Sequence, residues 1–257
     1  MARWLLDCEP LCGRPWRLGL ATEPDELAAA LGLRHRVFMT EMGYRAGADG
    51  FDRDAFDDWC DHLILIDSET GELIGTHRAI DGGEAMRRGG LFCGTQFDLA
   101  RLDPIAPRIL QGSRTCVAAG HRNGPAIQYL SYGMELLLRE RGALYFLGAE
   151  SFREPGAERL DQIHSYLREF GTDPDWFAPA LPASAVPGLR VVPVSAADER
   201  VVPSIIRMDL RMGFLACSPP AWDPDFGSYD VLMLGRRDRL TRTYGAFIHR
   251  IERNLPR

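Results

Sequence analysis

Carboxylates crowd one short stretch of this chain, YRAGADGFDRDAFDDWCD (Tyr44–Asp61), where Asp49, Asp52, Asp54, Asp57, Asp58 and Asp61 lie close together. Carboxylates at this density can hold calcium, receive a cationic substrate or pair with arginines. Calcium is disfavoured because the D-x-D-x-D spacing, with its glycine and closing glutamate, is absent. The other two uses stay open. A second candidate is Glu150, which stands in the apolar run LYFLGAESF (Leu144–Phe152). A carboxylate in such a run either marks function or lies exposed at a strand end. Every basic residue is arginine, which excludes a catalytic lysine. The cysteines (Cys8, Cys12, Cys60, Cys93, Cys116 and Cys217) are scattered. Only Cys8 and Cys12 are close, and no second pair or histidine set completes a zinc site, so no metal is expected.

The elements that must position these groups centre on Arg108–Phe152. Arg108–Ala119 has the β-branched and apolar content of a strand, and Gly120–Gly124 ends it in a turn. Pro125 suits a first helical position, and Ile127, Leu130, Met134 and Leu137 recur at helical spacing until Gly142. Leu144–Phe152 returns as a buried strand. A strand running through a glycine-bearing turn into a helix aims unpaired N–H groups and the positive end of a helix dipole at one spot. An anionic or amide-rich ligand such as a phosphopantetheine arm suits that spot.

Around this unit the chain alternates. Trp16–Ala21 reads as a strand, and Thr22 caps a helix that runs to about Met42. The acidic stretch reads as a loop long enough to have a use. His62–Asp67 and Glu72–Asp81 form an antiparallel hairpin, and Glu84–Leu102 is loop-like. Glu158–Phe170 is helical. Gly171–Pro203 is a proline-rich excursion with a strand at Leu189–Val194. Ser204–Met212 is a helix, Asp230–Gly235 a strand and Leu240–Asn254 a last helix. No internal repeat stands out.

With 257 residues, 46% hydrophobic and 26% charged, the chain fits one domain over 1–257, with a core of about 14–152 and a C-terminal elaboration of about 153–257. No membrane span or signal peptide is evident, so a cytoplasmic protein is expected. A net charge of -6 argues against nucleic acid as a partner. Seven arginines from Arg236 to Arg257 face only Asp238 and Glu252. That run is either a solvated helix or a docking surface for an acidic partner or an anionic membrane face.

Four pieces in order carry a family resemblance: LRHRVFMTEMGY (Leu33–Tyr44), DRDAFDDWCDHLILID (Asp52–Asp67), GTHR (Gly75–Arg78) and SRTCVAAGHRNGPAIQYL (Ser113–Leu130). The set resembles the GNAT-fold N-acyltransferases that make lyso-ornithine lipid and related N-acyl amino acids, once labelled "hemolysin-like". It is more distantly similar to acyl-homoserine-lactone synthases. PAWDPDFGSYDVLML (Pro220–Leu234) resembles the same family's C-terminal piece.

The resemblance implies an α/β GNAT fold, a twisted, mostly antiparallel sheet with a V-shaped splay flanked by helices, and transfer of a long-chain, 3-hydroxy acyl group from acyl carrier protein to the α-amine of ornithine. No dissociable cofactor is implied, since the donor is a phosphopantetheine thioester. Where coenzyme A enzymes carry Q/R-x-x-G-x-G/A, this chain has Arg122, Asn123, Gly124, Pro125 and Ala126, a departure that fits the carrier-protein branch. Val117, Arg122, Asn123, Gly124 and Phe146 are then expected beside the pantetheine and acyl chain. Phe92, Phe97, Leu144 and Phe152 are further lining candidates, or plain core.

Arg34, Asp54, Asp57, Arg78 and Arg114 fall where the family keeps an ionic cluster. Such a cluster either grips an amino acid at both ends or ties the acidic loop to the sheet. The family's Glu-x-x-Arg appears here as Gln111, Gly112, Ser113, Arg114, and a glutamine cannot accept a proton at neutral pH. A water chain or another carboxylate, with Glu150 the candidate, replaces the missing base, or catalysis is lost. The alternatives are an acyl-homoserine-lactone or other N-acyl amino acid signal synthase, and a non-catalytic module that binds acyl carrier protein or fatty acyl groups. Contact with the inner membrane face is a further expectation.

Overall fold

Glu26 fixes where the first long helix begins: one carboxylate oxygen accepts from the backbone N–H of Thr22 at 2.9 Å and of Glu23 at 3.1 Å, and the other from that of Ala2 at 2.6 Å. With Pro24 at its start, helix α1 (Pro24–Arg34) is capped at Glu23 rather than at Thr22, through a capping box in which the Glu23 side chain accepts from the Glu26 backbone N–H and the Glu26 side chain from that of Glu23. Past Arg34 the helix widens into a π-helical segment, His35–Glu41. The computed structural model describes residues 2–6, 13–44, 49–122, 124–153, 156–173 and 175–255. Cys8, Cys12 and Asn123 lie outside the described residues. The chain divides into two compact units: Met1–Ile80 with Gly112–Gly142 and Ala246–Arg257, and Asp81–Gln111 with Ala143–Gly245.

The first unit is a sheet in the order β1 (Arg3–Leu6), β2 (Trp16–Leu20), β3 (Asp61–Asp67), β4 (Leu73–Asp81) and the later part of β5 (Ile109–Val117). The ladders from β1 to β4 are antiparallel, with Leu18 opposite Leu65 and His62 opposite Arg78. Period-2 alternation therefore sends Arg78, with Thr76 and Ile80, to one face and His77 to the other. Helix α3 (Ala126–Glu140) packs on β2 and β3. It packs closely at Gly133, where a Cβ would sit 2.9 Å from a Leu63 methyl.

In the second unit, β5 runs parallel to β6 (Tyr145–Phe152), pairing Ile109 with Tyr145, Leu110 with Phe146 and Gln111 with Leu147. The parallel ladder stops there, while β6 pairs antiparallel along its whole length with β9 (Ser228–Arg236). Two short strands, β7 (Phe214–Ala216) and β8 (Ala221–Asp223), also pair antiparallel with β9. Helices α4 (Ala157–Tyr166) and α5 (Ser204–Met212) cover one face of this sheet, where Ile163, Tyr166, Ile206, Phe214, Val231 and Met233 form an apolar core.

Two sequence expectations fail here. The loop-like reading of Glu84–Leu102 misses a helix, α2 (Gly82–Arg88), capped by the Asp81 carboxylate accepting from the Glu84 N–H at 2.9 Å. Its two glycines disguise it, and Gly82 is there for contact: a Cβ would lie 1.9 Å from the Ala106 carbonyl oxygen. Leu189–Val194 forms no ladder, because the Arg190 and Val192 N–H groups bond instead to the Asp161 carboxylate and Ser165 hydroxyl of α4. The short β1, β7 and β8 were not foreseen.

Candidate functional site

In the first unit, three arginines and three aspartates interlock. Arg34 closes α1 with a side chain wholly buried, donating from Nε to Asp52 at 2.8 Å and from both terminal nitrogens to Asp57 at 2.7 and 3.1 Å. Arg78 projects from β4, equally buried, and donates from Nη1 to Asp54 at 2.6 Å and to Asp57 at 3.0 Å, and from Nε to the Ser113 hydroxyl at 2.9 Å. Arg114 completes the set, its Nε 3.2 Å from Asp52 and its Nη2 3.5 Å from Asp54. Bidentate and shared guanidinium contacts of this kind are charge-assisted and geometrically exact in their demands.

The backbone at Arg114 carries the strain. Its φ of 53° is the left-handed region, occupied by no other non-glycine residue among those described. Such a kink inside a strand costs free energy and re-aims one side chain, here a guanidinium toward the acidic loop.

Burial would raise the Asp57 carboxyl, but the hydrogen bonds and charge of Arg34, with the charge of Arg78, hold it at about 2. Burial pulls the Arg34 guanidinium down, and its aspartates more than restore it. Arg114 is lowered by burial, with Arg78 and Arg34 adding to the effect against Asp52 and Asp54. Beside the cluster, burial pushes the Cys60 thiol up to about 12 and His62 below its ordinary value, so the thiol is protonated and the imidazole neutral near pH 7. Asp57, Cys60 and His62 are the one group of potential metal ligands among the described residues, with atoms within 4.8 Å of one another. They do not suit a metal. The Asp57 oxygens already accept from Arg34 twice, from Arg78 and from the Asp54 N–H, which leaves no lone pair to give.

The cluster is sealed on one side and open on the other. Arg34, Arg78 and Asp57 have no exposed side-chain surface, whereas Asp54 keeps 26% and Arg114 keeps 15%. Asp54 Oδ2 takes no hydrogen bond and meets Arg114 only at ion-pair range. At this partly exposed edge a guanidinium and a carboxylate stand side by side, the Asp54 Oδ2 that faces Arg114 being itself buried.

Arg34, Asp54, Asp57, Arg78 and Arg114 are therefore brought together, joined by Asp52 and Ser113. The sequence named Asp52 only among the loop carboxylates, and nothing in a serine signals its role. Gln111 is elsewhere in its own surroundings, fully buried in the second unit, its amide donating to Cys93 Sγ at 3.1 Å and accepting from the Cys93 N–H at 3.4 Å. At the end of β5, the Val117 carbonyl accepts from Arg122 Nε at 2.9 Å, and Arg122 also pairs with Glu41. Arg122 thereby straps the turn containing Gly124 to the π-helical segment. Phe146 packs edge-on against Phe214, ring centroids 5.6 Å apart, within the apolar core of the second unit. Phe152 stacks on Tyr229 and Phe97 is fully buried, both as core residues. Glu150, half-buried on β6, hydrogen-bonds Asp209 of α5, and its carboxyl is pushed well above the usual range by burial and by that neighbour. Asp209, raised to about 7 by burial, had no sequence signal: it is one polar residue on an amphipathic helix.

Residues 33–132, which hold the whole ionic cluster, match the acetyltransferase (GNAT) domain family. Over most of its length the chain is similar to proteins named L-ornithine N(alpha)-acyltransferase. The one from Brucella abortus (strain 2308) is 28% identical over 242 residues, covering 88% of this chain and 85% of the relative. The one from Agrobacterium fabrum (strain C58) is 29% identical over 249 residues, covering 89% and 84%. Among solved structures, the CoA-dependent acyl-homoserine lactone synthase BjaI with MTA superposes with a TM-score of 0.52 at 16% identity, covering 90% of this chain and 83% of that one, a likeness of fold.

Proposed function

We propose that this GNAT-fold acyltransferase moves a long-chain acyl group from a thioester to the α-amine of L-ornithine, giving a lyso-ornithine lipid. The observation that carries the reading is the open edge of the ionic cluster. An amino acid presents a carboxylate and an ammonium on one carbon, and Arg114 and Asp54 present their complements 3.5 Å apart. Behind them Arg34, Asp52, Asp57 and Arg78 hold the pair in place, so little ordering remains at the moment of binding. Similarity to ornithine N-acyltransferases over most of both chains supports ornithine as the acceptor.

In the reaction the amine attacks the thioester carbonyl, and the tetrahedral oxyanion calls for preorganised N–H donors. The donor in this reading is a 3-hydroxyacyl group on acyl carrier protein: the turn sequence at Arg122–Ala126 supports the carrier, and the family resemblance alone suggests the 3-hydroxy group. Carrier proteins are acidic, and Arg237 and Arg239 stand exposed just after β9. Reversing the charge of both is expected to weaken carrier binding at low salt and to leave it unchanged at high salt, where screening already removes the attraction. No helix among the described residues is long and apolar enough to cross a membrane, and contact with the inner membrane face is proposed as peripheral.

The reading is tested by following free-thiol release from 3-hydroxypalmitoyl carrier protein with single amino acids. Release that depends on ornithine supports it; equal release with every amino acid, or with none, overturns it.

A further inference from the structure

Acyl transfer leaves one charge still to be met. The acceptor's carboxylate meets Arg114 and its ammonium meets Asp54, but the thioester oxygen becomes an oxyanion as the nitrogen attacks. A donor already aimed at that oxygen supplies much of the rate. One side chain of the ionic cluster has a hydrogen to give. Ser113 of β5 accepts from Arg78 Nε at 2.9 Å, the one hydrogen bond its hydroxyl makes among the described residues. A hydroxyl carries one donor and two acceptor sites. With a guanidinium N–H fixed on its oxygen, the Ser113 hydroxyl turns its hydrogen away from Arg78 and stands as a donor.

The kink at Arg114 puts that donor where the chemistry is. Successive side chains of a regular strand leave on opposite faces, so Ser113 and Arg114 could not both reach one cluster. The left-handed φ of 53° at Arg114 breaks the alternation, and both side chains reach it. The same guanidinium ties Ser113 to the acceptor site, since Arg78 also donates from Nη1 to Asp54 at 2.6 Å. The hydroxyl and the carboxylate that receives the α-ammonium are thus separated by no more than one guanidinium and its two hydrogen bonds. The carbonyl under attack lies within bonding distance of that nitrogen. Ser113 is half-buried, like Asp54 and Arg114 at the partly exposed edge, whereas the Arg78 side chain is sealed. Accepting from a buried cation polarises the hydroxyl and strengthens the bond it donates onward.

We propose that Ser113 is a catalytic residue of the acyl transfer, its hydroxyl donating to the oxyanion of the tetrahedral intermediate, with Arg78 acting through it as a positioning residue. This inference rests on the acyl-transfer reading above. The α-ammonium first gives one proton to solvent, freeing its lone pair. The nitrogen–carbon bond forms as the carbonyl π electrons move to oxygen, where the Ser113 hydrogen meets them without leaving its own oxygen. When the electrons return, the carbon–sulfur bond breaks with its pair, and the thiolate takes a second nitrogen proton and departs as a thiol. The serine ends the cycle unchanged.

The test compares kcat and the KM for ornithine in the wild type, S113A, S113C and S113T, with a thermal melt of each. S113A removes the donor and also the acceptor that Arg78 Nε uses. S113C keeps a sulfur that can accept but donates weakly, and S113T keeps the hydroxyl. S113A and S113C are expected to lower kcat about 100-fold or more, the range for one missing oxyanion donor. Their KM is expected to stay within about twofold of wild type, because the bond is made only in the transition state. S113T is expected to retain kcat within about tenfold of wild type. S113C keeps the test open should S113A melt too low to assay. An S113C kcat within about threefold of wild type, or a rise in KM as large as the fall in kcat, overturns the inference. So does S113T no faster than S113C, which makes Ser113 a prop for Arg78 and nothing more. A wild type that acylates no amino acid overturns the acyl-transfer reading itself and the inference with it.

Discussion

Replacing Asp57 with asparagine removes the charge that two buried guanidiniums share. Asp57 accepts from Arg34 at 2.7 and 3.1 Å and from Arg78 at 3.0 Å, and none of the three side chains is exposed. Two routes give the cost. Holding the carboxyl at about 2 instead of 3.8 is worth about 2.5 kcal/mol at 1.36 kcal/mol per pH unit. Removing one member of a buried ion pair and leaving the others costs about 3–5 kcal/mol. A loss of about 3 kcal/mol satisfies both, and with a urea slope of about 2 kcal/mol/M it lowers the unfolding midpoint by about 1.5 M. The pH dependence has a definite sign. A carboxyl whose folded value is depressed stabilises above its unfolded value and loses that contribution as pH falls through the folded one, so the wild type loses this increment between 3.8 and about 2. D57N lacks that part of the acid transition. Urea unfolding at neutral and acid pH reads both effects, and a neutral-pH midpoint shift under about 0.3 M refutes the claim that Asp57 is the hub.

Substituting at the open edge separates binding from stability. R114K and D54N are each expected to raise the KM for the amino acid at least tenfold, since a lysine cannot reproduce the guanidinium fork and an asparagine has no charge for the ammonium; D54N also loses stability, because Asp54 accepts from buried Arg78 at 2.6 Å, and a fall in melting point with an unchanged KM in both variants argues for scaffold alone. Buried His77, whose Nδ1 takes no hydrogen bond, is held down at about 4 by burial. Wild-type stability should therefore fall by about 3 kcal/mol as pH drops from 6.5 to about 4, and H77Q should flatten that slope in denaturation curves taken at intermediate pH. Q111E places a carboxylate against the Cys93 thiol in a fully buried setting. It is expected to cost about 2–3 kcal/mol without raising turnover, measured by melting and by thiol release.

The interlocking of arginines and aspartates was legible only through the family resemblance carried by four sequence pieces in order; residue types and spacing alone left the loop carboxylates with more than one use. Its division into a sealed inner set and an open edge was not legible, since exposure depends on how the loop folds over β4 and β5. The strand–turn–helix of β5 and α3 followed from period-2 and helical spacing with a glycine-bearing turn between them. Helix α2 was hidden because two glycines argue against a helix by propensity, while the reason for Gly82, close approach to the Ala106 carbonyl, is tertiary. The excursion near Leu189 looked like a strand because it is extended, yet its N–H groups bond to α4 side chains. Glu150 stood out in an apolar run, but Asp209 could not be matched to it, the two lying far apart along the chain. Cys60 and His62 sit beside the cluster without joining its chemistry, burial having left both uncharged.

The most direct measurement is the mass of the product formed from 3-hydroxyacyl carrier protein and L-ornithine. A lipid-phase species with the mass of N-acylornithine, fragmenting with the acyl group on the α-nitrogen, is the expected result. Acylation on the side-chain nitrogen, or transfer to water alone, would contradict the assignment of Asp54 and Arg114 as the groups that grip the two ends of the amino acid.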